Sequence, residues 1–156
     1  LAVTVADCVP VVFAHASGTA VAAVHAGWRG TLAKITSLII ERMVCEFGAR
    51  TERIEALVGP GIESCCFEVG EDVSSKFKNK FICEGSHNPR VDLREANRVQ
   101  LLDAGLQEHH IHGVERCSCC EGETFFSYRR EGKLAGRMLA FIGLRPNVTS
   151  SSRPSG

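Results

Sequence analysis

Residues 9–25 of the chain read VPVVFAHASGTAVAAVH, and this stretch decides the fold. Two apolar runs, 9–14 and 20–25, flank a Ser17-Gly18 pair of the kind that makes turns. Runs this short and this apolar are typical of buried strands, so the stretch predicts a β-hairpin. Residues 1–5 are also apolar and β-rich, which predicts another buried strand. Because a domain rarely opens inside its own core, we expect a further segment of the protein before Leu1.

The next part of the sequence predicts a long amphipathic helix. Apolar residues recur three or four positions apart from Leu32 to Phe47, the spacing that lines one face of a helix. Thr31 is a suitable N-cap residue, and Gly48 suits the position just after a helix, where a left-handed backbone is common. Residues 27–30 read GWRG and would form the break between this helix and the preceding strand.

The rest of the sequence predicts shorter elements without regular alternation of strands and helices, which argues against a doubly wound sheet. The fold class is therefore predicted as α/β in the broad sense (α+β), with mixed β-sheets flanked by helices. Residues 1–145 are predicted to form one domain, and the Ser/Pro-rich residues 146–156 a disordered tail. The shorter elements are a strand at 54–58, helices at 71–81 and 94–104, and a hairpin of strands at 125–130 and 137–144.

Composition narrows the classes of protein to consider. The chain has 156 residues, of which 44% are hydrophobic, enough for one domain with a real core. Its 18 basic and 18 acidic side chains cancel, which argues against a dedicated nucleic-acid-binding protein. The sequence has no apolar run of membrane-spanning length and no charged-then-apolar leader, so no membrane association is predicted. Eight cysteines in a chain that needs no disulfide staples predict a reduced, cytoplasmic protein.

The first candidate site combines Cys8 with His25. Both residues lie at the ends of predicted strands, so a hairpin would bring the thiol and the imidazole to one point. Cysteine and histidine are good zinc ligands, and a zinc-activated water is a nucleophile near neutral pH. The same two groups also suit a metal-free pair in which His25 deprotonates Cys8. A third interpretation treats the cysteine as a core residue and the histidine as an ordinary hydrogen-bonding group.

The GWRG motif is a second candidate. Its glycines let the backbone approach a ligand closely, and Arg29 suits a bidentate contact with an anionic oxygen. The amides that open the following helix also favour phosphate. The alternative is a tight turn in which Trp28 fills the core.

A third group of candidates lies near the C-terminus. Three cysteines at 117, 119 and 120 suggest structural zinc, but no second cysteine pair lies at zinc-ribbon spacing, and the adjacent pair at 65–66 suggests packing. Tyr128, Arg129 and Arg130 follow two phenylalanines and would suit an aromatic base and an anion. The alternative is a strand with its arginines in solvent.

Taken together, six motifs in order resemble the YfiH/YlmD-type family, also called the laccase-domain or polyphenol oxidase family. The spacing of Cys8 and His25 matches that family as well, and the resemblance runs from Leu1 to about Leu144. The motifs are ADCVPV at 6–11, HAGWRG at 25–30, GPGI at 59–62, CFEV at 66–69, Asp92-Leu93 with Asn97, and FFSYRR at 125–130 with Gly136-Arg137.

The resemblance implies a CNF/YfiH-like cysteine-hydrolase fold and one zinc ion held by two histidines and a cysteine. Cys8 matches the cysteine ligand and His25 the second histidine, whereas the first histidine would lie upstream of Leu1. The implied activities are zinc-dependent purine nucleoside phosphorolysis, on adenosine, inosine and 5′-methylthioadenosine, and adenosine deamination. The partners would then be a purine nucleoside and phosphate.

Within this interpretation, individual roles follow from residue type and position. Arg29 and one of Arg129 and Arg130 are predicted to bind phosphate. Trp28, Phe126 or Tyr128 is predicted to pack against the base.

Three alternatives remain open at the level of sequence. They are a metal-free Cys8–His25 hydrolase or deamidase, a binding module on the cysteines at 117, 119 and 120, and a copper polyphenol oxidase (laccase). A laccase needs several coppers held by many histidines, and this chain has six histidines. The sequence leaves the oligomeric state open.

Overall fold

The computed structural model describes residues 1–84 and 87–145. Within these ranges the five α-helices are α1 (Trp28–Leu32), α2 (Ile35–Phe47), α3 (Glu71–Ser74), α4 (Leu93–Asp103) and α5 (Tyr128–Glu131). The eight strands are β1 (Ala2–Val5), β2 (Val9–His15), β3 (Val21–Ala26), β4 (Ile54–Val58), β5 (Ile82–Cys83), β6 (Arg90–Val91), β7 (Ile111–Gly113) and β8 (Met138–Phe141). Short 3-10 turns at Thr51–Arg53, Asn79–Phe81, Glu108–His110 and Gly132–Leu134 connect them.

A four-stranded mixed sheet with the order β3-β2-β4-β7 is the centre of the fold. β2 pairs antiparallel with both β3 and β4, whereas β4 and β7 run parallel. The predicted β2–β3 hairpin is confirmed, and Gly18 takes a positive φ of 69° in its turn. Val11 and Phe13 of β2 are completely buried, because β2 lies between β3 and β4 in the sheet and these side chains pack in the hydrophobic core.

The helices α1, α2 and α4 pack against the sheet and against one another. Ile40 and Met43 of α2 and Leu93 and Leu101 of α4 are buried in the same core as the strand residues. This arrangement confirms the predicted class of mixed sheets flanked by helices.

The predicted start of the long helix, after an N-cap at Thr31, is wrong. Two helices replace it, because Lys34 takes a left-handed conformation (φ 55°, ψ 42°) between α1 and α2. Thr31 is not an N-cap but lies inside α1, where its buried hydroxyl accepts a 2.9 Å hydrogen bond from Asn97 Nδ2. The predicted end is confirmed, since Gly48 follows α2 with a φ of 62°.

The predicted helix at 71–81 is also largely wrong, whereas the one at 94–104 is close to the structure. Only Glu71–Ser74 is α-helical, and Phe77 and Phe81 reach the core from the turns that follow. Their four-residue spacing resembles that of one face of a helix, but the two side chains are buried although their backbone is not α-helical. α4 begins one residue earlier than predicted, with the Asp92 carboxylate capping Glu95 N at 2.8 Å.

The predicted C-terminal hairpin does not form. Residues 128–131 are the short helix α5, capped by the Ser127 hydroxyl, which accepts from Arg130 N at 3.2 Å. β8 instead pairs antiparallel with β1, so the chain's first strand belongs to a separate two-stranded sheet. Phe126 packs closely on Gly136, where an added Cβ would lie 2.7 Å from the phenylalanine ring.

The predicted tail at 146–156 lies outside the described residues. Among the described helices, none combines the length and the hydropathy that a bilayer crossing requires.

Candidate active site

Cys8 and His25 meet at one end of the β2–β3 hairpin. Val9 pairs with Ala26, so the register places Cys8 across from Gly27, with His25 two residues earlier on the same strand. A Cβ built on Gly27 would lie 2.8 Å from Cys8 Sγ and 3.8 Å from His25 Nε2. The missing side chain at Gly27 therefore keeps open a space that the thiol and the imidazole both border.

This space belongs to a pocket of about 310 Å³, within the lower range of small-ligand sites. Segments distant in sequence contribute its walls: the β1–β2 turn, the end of β3, the loop after β4, and α5 with the segment that follows it. The lining residues are Thr4, Ala6, Asp7, Cys8, His25, Ile62, Phe67, Tyr128, Arg129 and Arg137.

Asp7 holds these segments together. Its buried carboxylate accepts hydrogen bonds from Ser118 Oγ at 2.8 Å and from Arg129 N at 2.6 Å, and its carbonyl accepts from Ile62 N at 2.7 Å. The residue takes a positive φ of 80°, which is uncommon outside glycine and persists where surrounding contacts enforce it. Asp7 thus fixes the backbone from which Cys8 projects.

The glycine-rich loop at 59–61 is a close-packed border of the site rather than a simple surface turn. A Cβ on Gly61 would lie 2.9 Å from the Asp7 carbonyl oxygen, and one on Gly59 would lie 2.8 Å from Pro10 Cγ. Only glycine permits this approach, which brings Ile62 into the pocket wall.

Two arginines bring positive charge to the pocket. Arg129 donates from Nη1 to the Cys66 carbonyl at 2.9 Å and from Nη2 to the Glu68 carbonyl at 2.8 Å, and its guanidinium lies over the Phe67 ring. Arg137 donates only from Nη1 to acceptors in the described part of the chain, the carbonyls of residues 135 and 136. Its remaining N–H groups are available to an anion.

The structure brings together some of the sequence-predicted site residues and separates others. Cys8, His25, Tyr128 and Arg129 share the pocket. Arg29 instead lies over the Trp28 ring, 4.1 Å from its centroid, and Trp28 packs against the core.

Arg130 points away from the pocket as well. It donates to the main-chain carbonyls of residues 118, 119 and 125 and pairs with Glu131. Its hydrogen bonds hold the cysteine-rich loop against α5.

The surroundings of Cys8 favour its neutral thiol when no metal ion is bound. Burial, and then the charge of Asp7, raises the pKa of the Cys8 thiol above its ordinary value. A metal ion reverses that effect because it binds the thiolate. Cys8 and His25 fit two of the three protein ligands that a catalytic zinc ion ordinarily has. Within residues 1–84 and 87–145, no third His, Cys, Asp or Glu ligand atom joins them.

A second group of side chains could hold a metal ion, and it differs from the zinc interpretation of the cysteines at 117, 119 and 120: it leaves out Cys119 and includes the pair at 65–66, which was interpreted as packing. Cys65 and Cys66 lie beside Cys117 and Cys120, and all four Sγ atoms lie within 4.8 Å of one another. Burial, with hydrogen bonds to the neighbouring thiols of Cys117 and Cys120, raises the pKa of Cys65 to about 12. The signal was present as two pairs of cysteines, but zinc-ribbon spacing does not describe pairs that two unrelated loops bring together.

Phe67 and Arg137 were also missed as pocket residues. Both lie in motifs that carried the resemblance, at 66–69 and 136–137, yet neither had a local pattern that pointed to a ligand.

Comparison with known proteins defines the family. A family model described as multi-copper polyphenol oxidoreductase laccase matches residues 1–145. A purine nucleoside phosphorylase of Deinococcus radiodurans is 43% identical over 98% of this chain and 61% of its own length. An adenosine deaminase, RL5, of an unknown prokaryotic organism is 41% identical over 91% of this chain and 57% of its own. The chain therefore belongs to this laccase-domain family, which confirms the YfiH/YlmD-type resemblance.

A solved structure agrees with the fold. YlmD from Geobacillus stearothermophilus superposes with a TM-score of 0.87 at 39% identity, covering 94% of this chain and 57% of that one. The chain spans between 57% and 61% of the length of these relatives.

Proposed function

We propose that this chain belongs to an enzyme that processes purine nucleosides, with its reacting site in the pocket between Cys8, His25 and Tyr128. The substrates would be adenosine, inosine or 5′-methylthioadenosine, together with phosphate for phosphorolysis or water for adenosine deamination. The observation that carries the proposal is the meeting of Cys8 Sγ and His25 Nε2 around Gly27, inside a pocket that also holds aromatic and guanidinium groups. The names of the relatives, purine nucleoside phosphorylase and adenosine deaminase, support it.

Zinc is the proposed cofactor. Cys8 would supply a thiolate ligand and His25 an imidazole nitrogen, a donor set that suits zinc. A bound zinc ion would lower the pKa of a water molecule to near neutrality and so supply the nucleophile for deamination. Asp7 holds the Cys8 backbone through its contacts with Ser118 and Arg129, which keeps the sulfur ligand in place.

Phosphorolysis places a different demand on the pocket. A phosphate oxygen bonds to C1′ of the ribose while the glycosidic bond breaks. The electron pair of the glycosidic bond leaves with the base. Arg137 and Arg129 line the pocket, and their positive charge would hold the phosphate there. Arg137 is the better candidate because more of its N–H groups are available. Tyr128, which is 52% exposed, offers the base an aromatic face.

Arg29, Arg130 and Trp28 stay predictions for substrate binding. Arg29 would have to leave the Trp28 ring to reach a ligand in the pocket, and Arg130 would have to give up its main-chain carbonyls.

The kinetics of variants test the phosphate assignment. Arg137→Ala should raise the phosphate KM by about 10-fold or more, the equivalent of about 1.4 kcal/mol of lost binding, with a smaller change in the nucleoside KM. Arg29→Ala is the matched control, and an increase in its phosphate KM that equals or exceeds that of Arg137→Ala would move the phosphate site to the GWRG motif.

Product analysis tests the reaction class. This chain, and a version extended upstream to include the histidine that the resemblance implies, are incubated with adenosine with and without phosphate. The proposal predicts adenine with ribose 1-phosphate, or inosine, and loss of both after zinc chelation. Turnover that survives chelation but not thiol alkylation would support a metal-free Cys8–His25 hydrolase instead.

The copper oxidase interpretation is tested separately, because the family description names a laccase. It requires dioxygen consumption with a phenol and copper in the protein. If the protein consumed dioxygen with a phenol and did not turn over adenosine, the copper oxidase interpretation would replace the present proposal.

A further inference from the structure

Two cysteine-bearing loops face each other beside the pocket. One follows β4 and carries Cys65 and Cys66, and the other follows β7 and carries Cys117 and Cys120. The loops are joined by a bridge between Gly61 and Cys117, with Ser118 N donating to the Gly61 carbonyl at 2.9 Å. The four thiols therefore come together on a hydrogen-bonded backbone rather than on free chain ends.

The sulfur separations suit a metal ion better than disulfides. The Sγ atoms of Cys65 and Cys66 are 3.8 Å apart, and Cys120 Sγ lies 3.6 Å from the first and 3.4 Å from the second. Zinc–sulfur bonds of about 2.3 Å in a tetrahedron place neighbouring sulfurs about 3.8 Å apart. A disulfide needs about 2.05 Å, and all eight cysteines of the chain are free thiols.

A backbone amide and three guanidinium groups lie around the cluster, and they would offset part of the cost of charging thiols that burial otherwise keeps neutral. Glu63 N points at Cys117 Sγ at 3.5 Å, an amide contact that stabilises negative charge on sulfur. Three guanidinium groups donate to main-chain carbonyls of the same loops: Arg90 to Cys65, Arg129 to Cys66 and Arg130 to Cys119. Their positive charge offsets the net negative charge that four thiolates leave around a divalent cation.

We propose that Cys65, Cys66, Cys117 and Cys120 form a second metal site, a closed tetrathiolate site for Zn²⁺ with a structural role. Four protein ligands complete a tetrahedron, so no position remains for water or substrate. The site is separate from Cys8 and His25 and does not depend on the proposed function.

The proposed ion would stabilise the wall of the pocket. Phe67 directly follows Cys66 and lines the pocket. Ser118 directly follows Cys117 and donates to the Asp7 carboxylate. Joining the two cysteine loops through one ion therefore fixes both the aromatic wall and the residue that positions Cys8.

Metal analysis of the full chain tests the proposal. The parent for this experiment is Cys8→Ala/His25→Ala, so that zinc at the first site does not contribute. After purification under reducing conditions and dialysis against Zn²⁺, we expect about one zinc per chain. Adding Cys66→Ser/Cys120→Ser should abolish that zinc, whereas adding Cys45→Ser, an exposed thiol on α2, should leave it unchanged.

Cobalt gives a readout that does not depend on the cysteine variants folding. Co²⁺ added to the metal-free parent should produce the intense charge-transfer and d–d bands of a tetrahedral tetrathiolate site, and Zn²⁺ should remove them by displacement. Zn²⁺ should also raise the Tm of the metal-free parent. Zinc that persists in Cys66→Ser/Cys120→Ser, the absence of tetrathiolate bands in the parent, or a disulfide among these residues in the reduced-purified chain would each overturn the proposal.

Discussion

Gly27→Ala separates the chemistry of the pocket from the stability of the fold. Gly27 has φ −74° and ψ 175°, a conformation that alanine adopts without strain. The added Cβ would nevertheless lie 2.8 Å from Cys8 Sγ, well inside the roughly 3.5–4.0 Å at which nonbonded heavy atoms pack. The sulfur must move, and the methyl group occupies the space next to His25 Nε2.

The cost to the fold is limited. Forcing an extra methyl into a packed site costs about 1–3 kcal/mol, and replacing glycine by alanine returns about 0.4–1 kcal/mol by restricting the unfolded chain. For a chain of this size each kcal/mol corresponds to about 2–4 °C, so the Tm should fall by less than about 10 °C.

The cost to the site is larger, because a displacement of about 1 Å at a reacting group lowers the rate by about 100-fold. We therefore expect adenosine turnover to fall by about 10- to 100-fold, together with loss of zinc from Cys8 and His25. The assays are steady-state kinetics, metal analysis and thermal denaturation. Gly143→Ala is the control, since no atom lies within 4 Å of its added Cβ. Turnover unchanged by Gly27→Ala would refute the assignment of this space to the reaction.

The other predictions concern the groups that support the site. Asp7→Ala leaves the buried Ser118 hydroxyl and the Arg129 N–H without their acceptor, so the Tm should fall by the equivalent of about 1–3 kcal/mol. The exposed Asp103→Ala should show no such loss in thermal denaturation. Asn97→Ala removes the buried bonds to the α1 hydroxyl and the α4 backbone and should cost a similar free energy of unfolding, measured by urea titration. In the metal-free protein, alkylation of Cys8 should have its midpoint above pH 9.0, because burial and then Asp7 raise its pKa. An alkylation midpoint below pH 9.0 would contradict this prediction. The same raised pKa means that Cys8 stabilises the folded state below pH 9.0, and this contribution is lost as the pH rises through the folded-state pKa.

Local sequence patterns were sufficient to predict the central hairpin and the proximity of Cys8 and His25. The two valine-rich runs lie on either side of the turn at Gly18, so the sequence predicts that they pair as β2 and β3. This pairing brings Cys8 next to the strand that carries His25. Short-range signals also located the end of α2 at Gly48. Where neighbouring residues determine the backbone, the sequence is informative.

Contacts between distant segments could not be predicted in the same way. β1 pairs with β8 across almost the whole chain, and neither strand carries a signal that names its partner. The four-cysteine cluster joins residues more than fifty positions apart, and Arg137 enters the pocket only because β8 returns to β1. Thr31 is another case in which a distant contact decides a residue's role, since its hydroxyl accepts a hydrogen bond from Asn97 and does not cap a helix.

The central claim is that Cys8 and His25 hold the metal on which nucleoside turnover depends. The most direct test measures adenosine turnover and zinc content together in Cys8→Ala and His25→Ala, with Cys45→Ser and the exposed His109→Ala as matched controls. The proposal predicts that both variants lose turnover and about one zinc ion per chain relative to the unsubstituted chain, while the controls keep the turnover and the zinc content of the unsubstituted chain. Full adenosine turnover in Cys8→Ala or His25→Ala would contradict it.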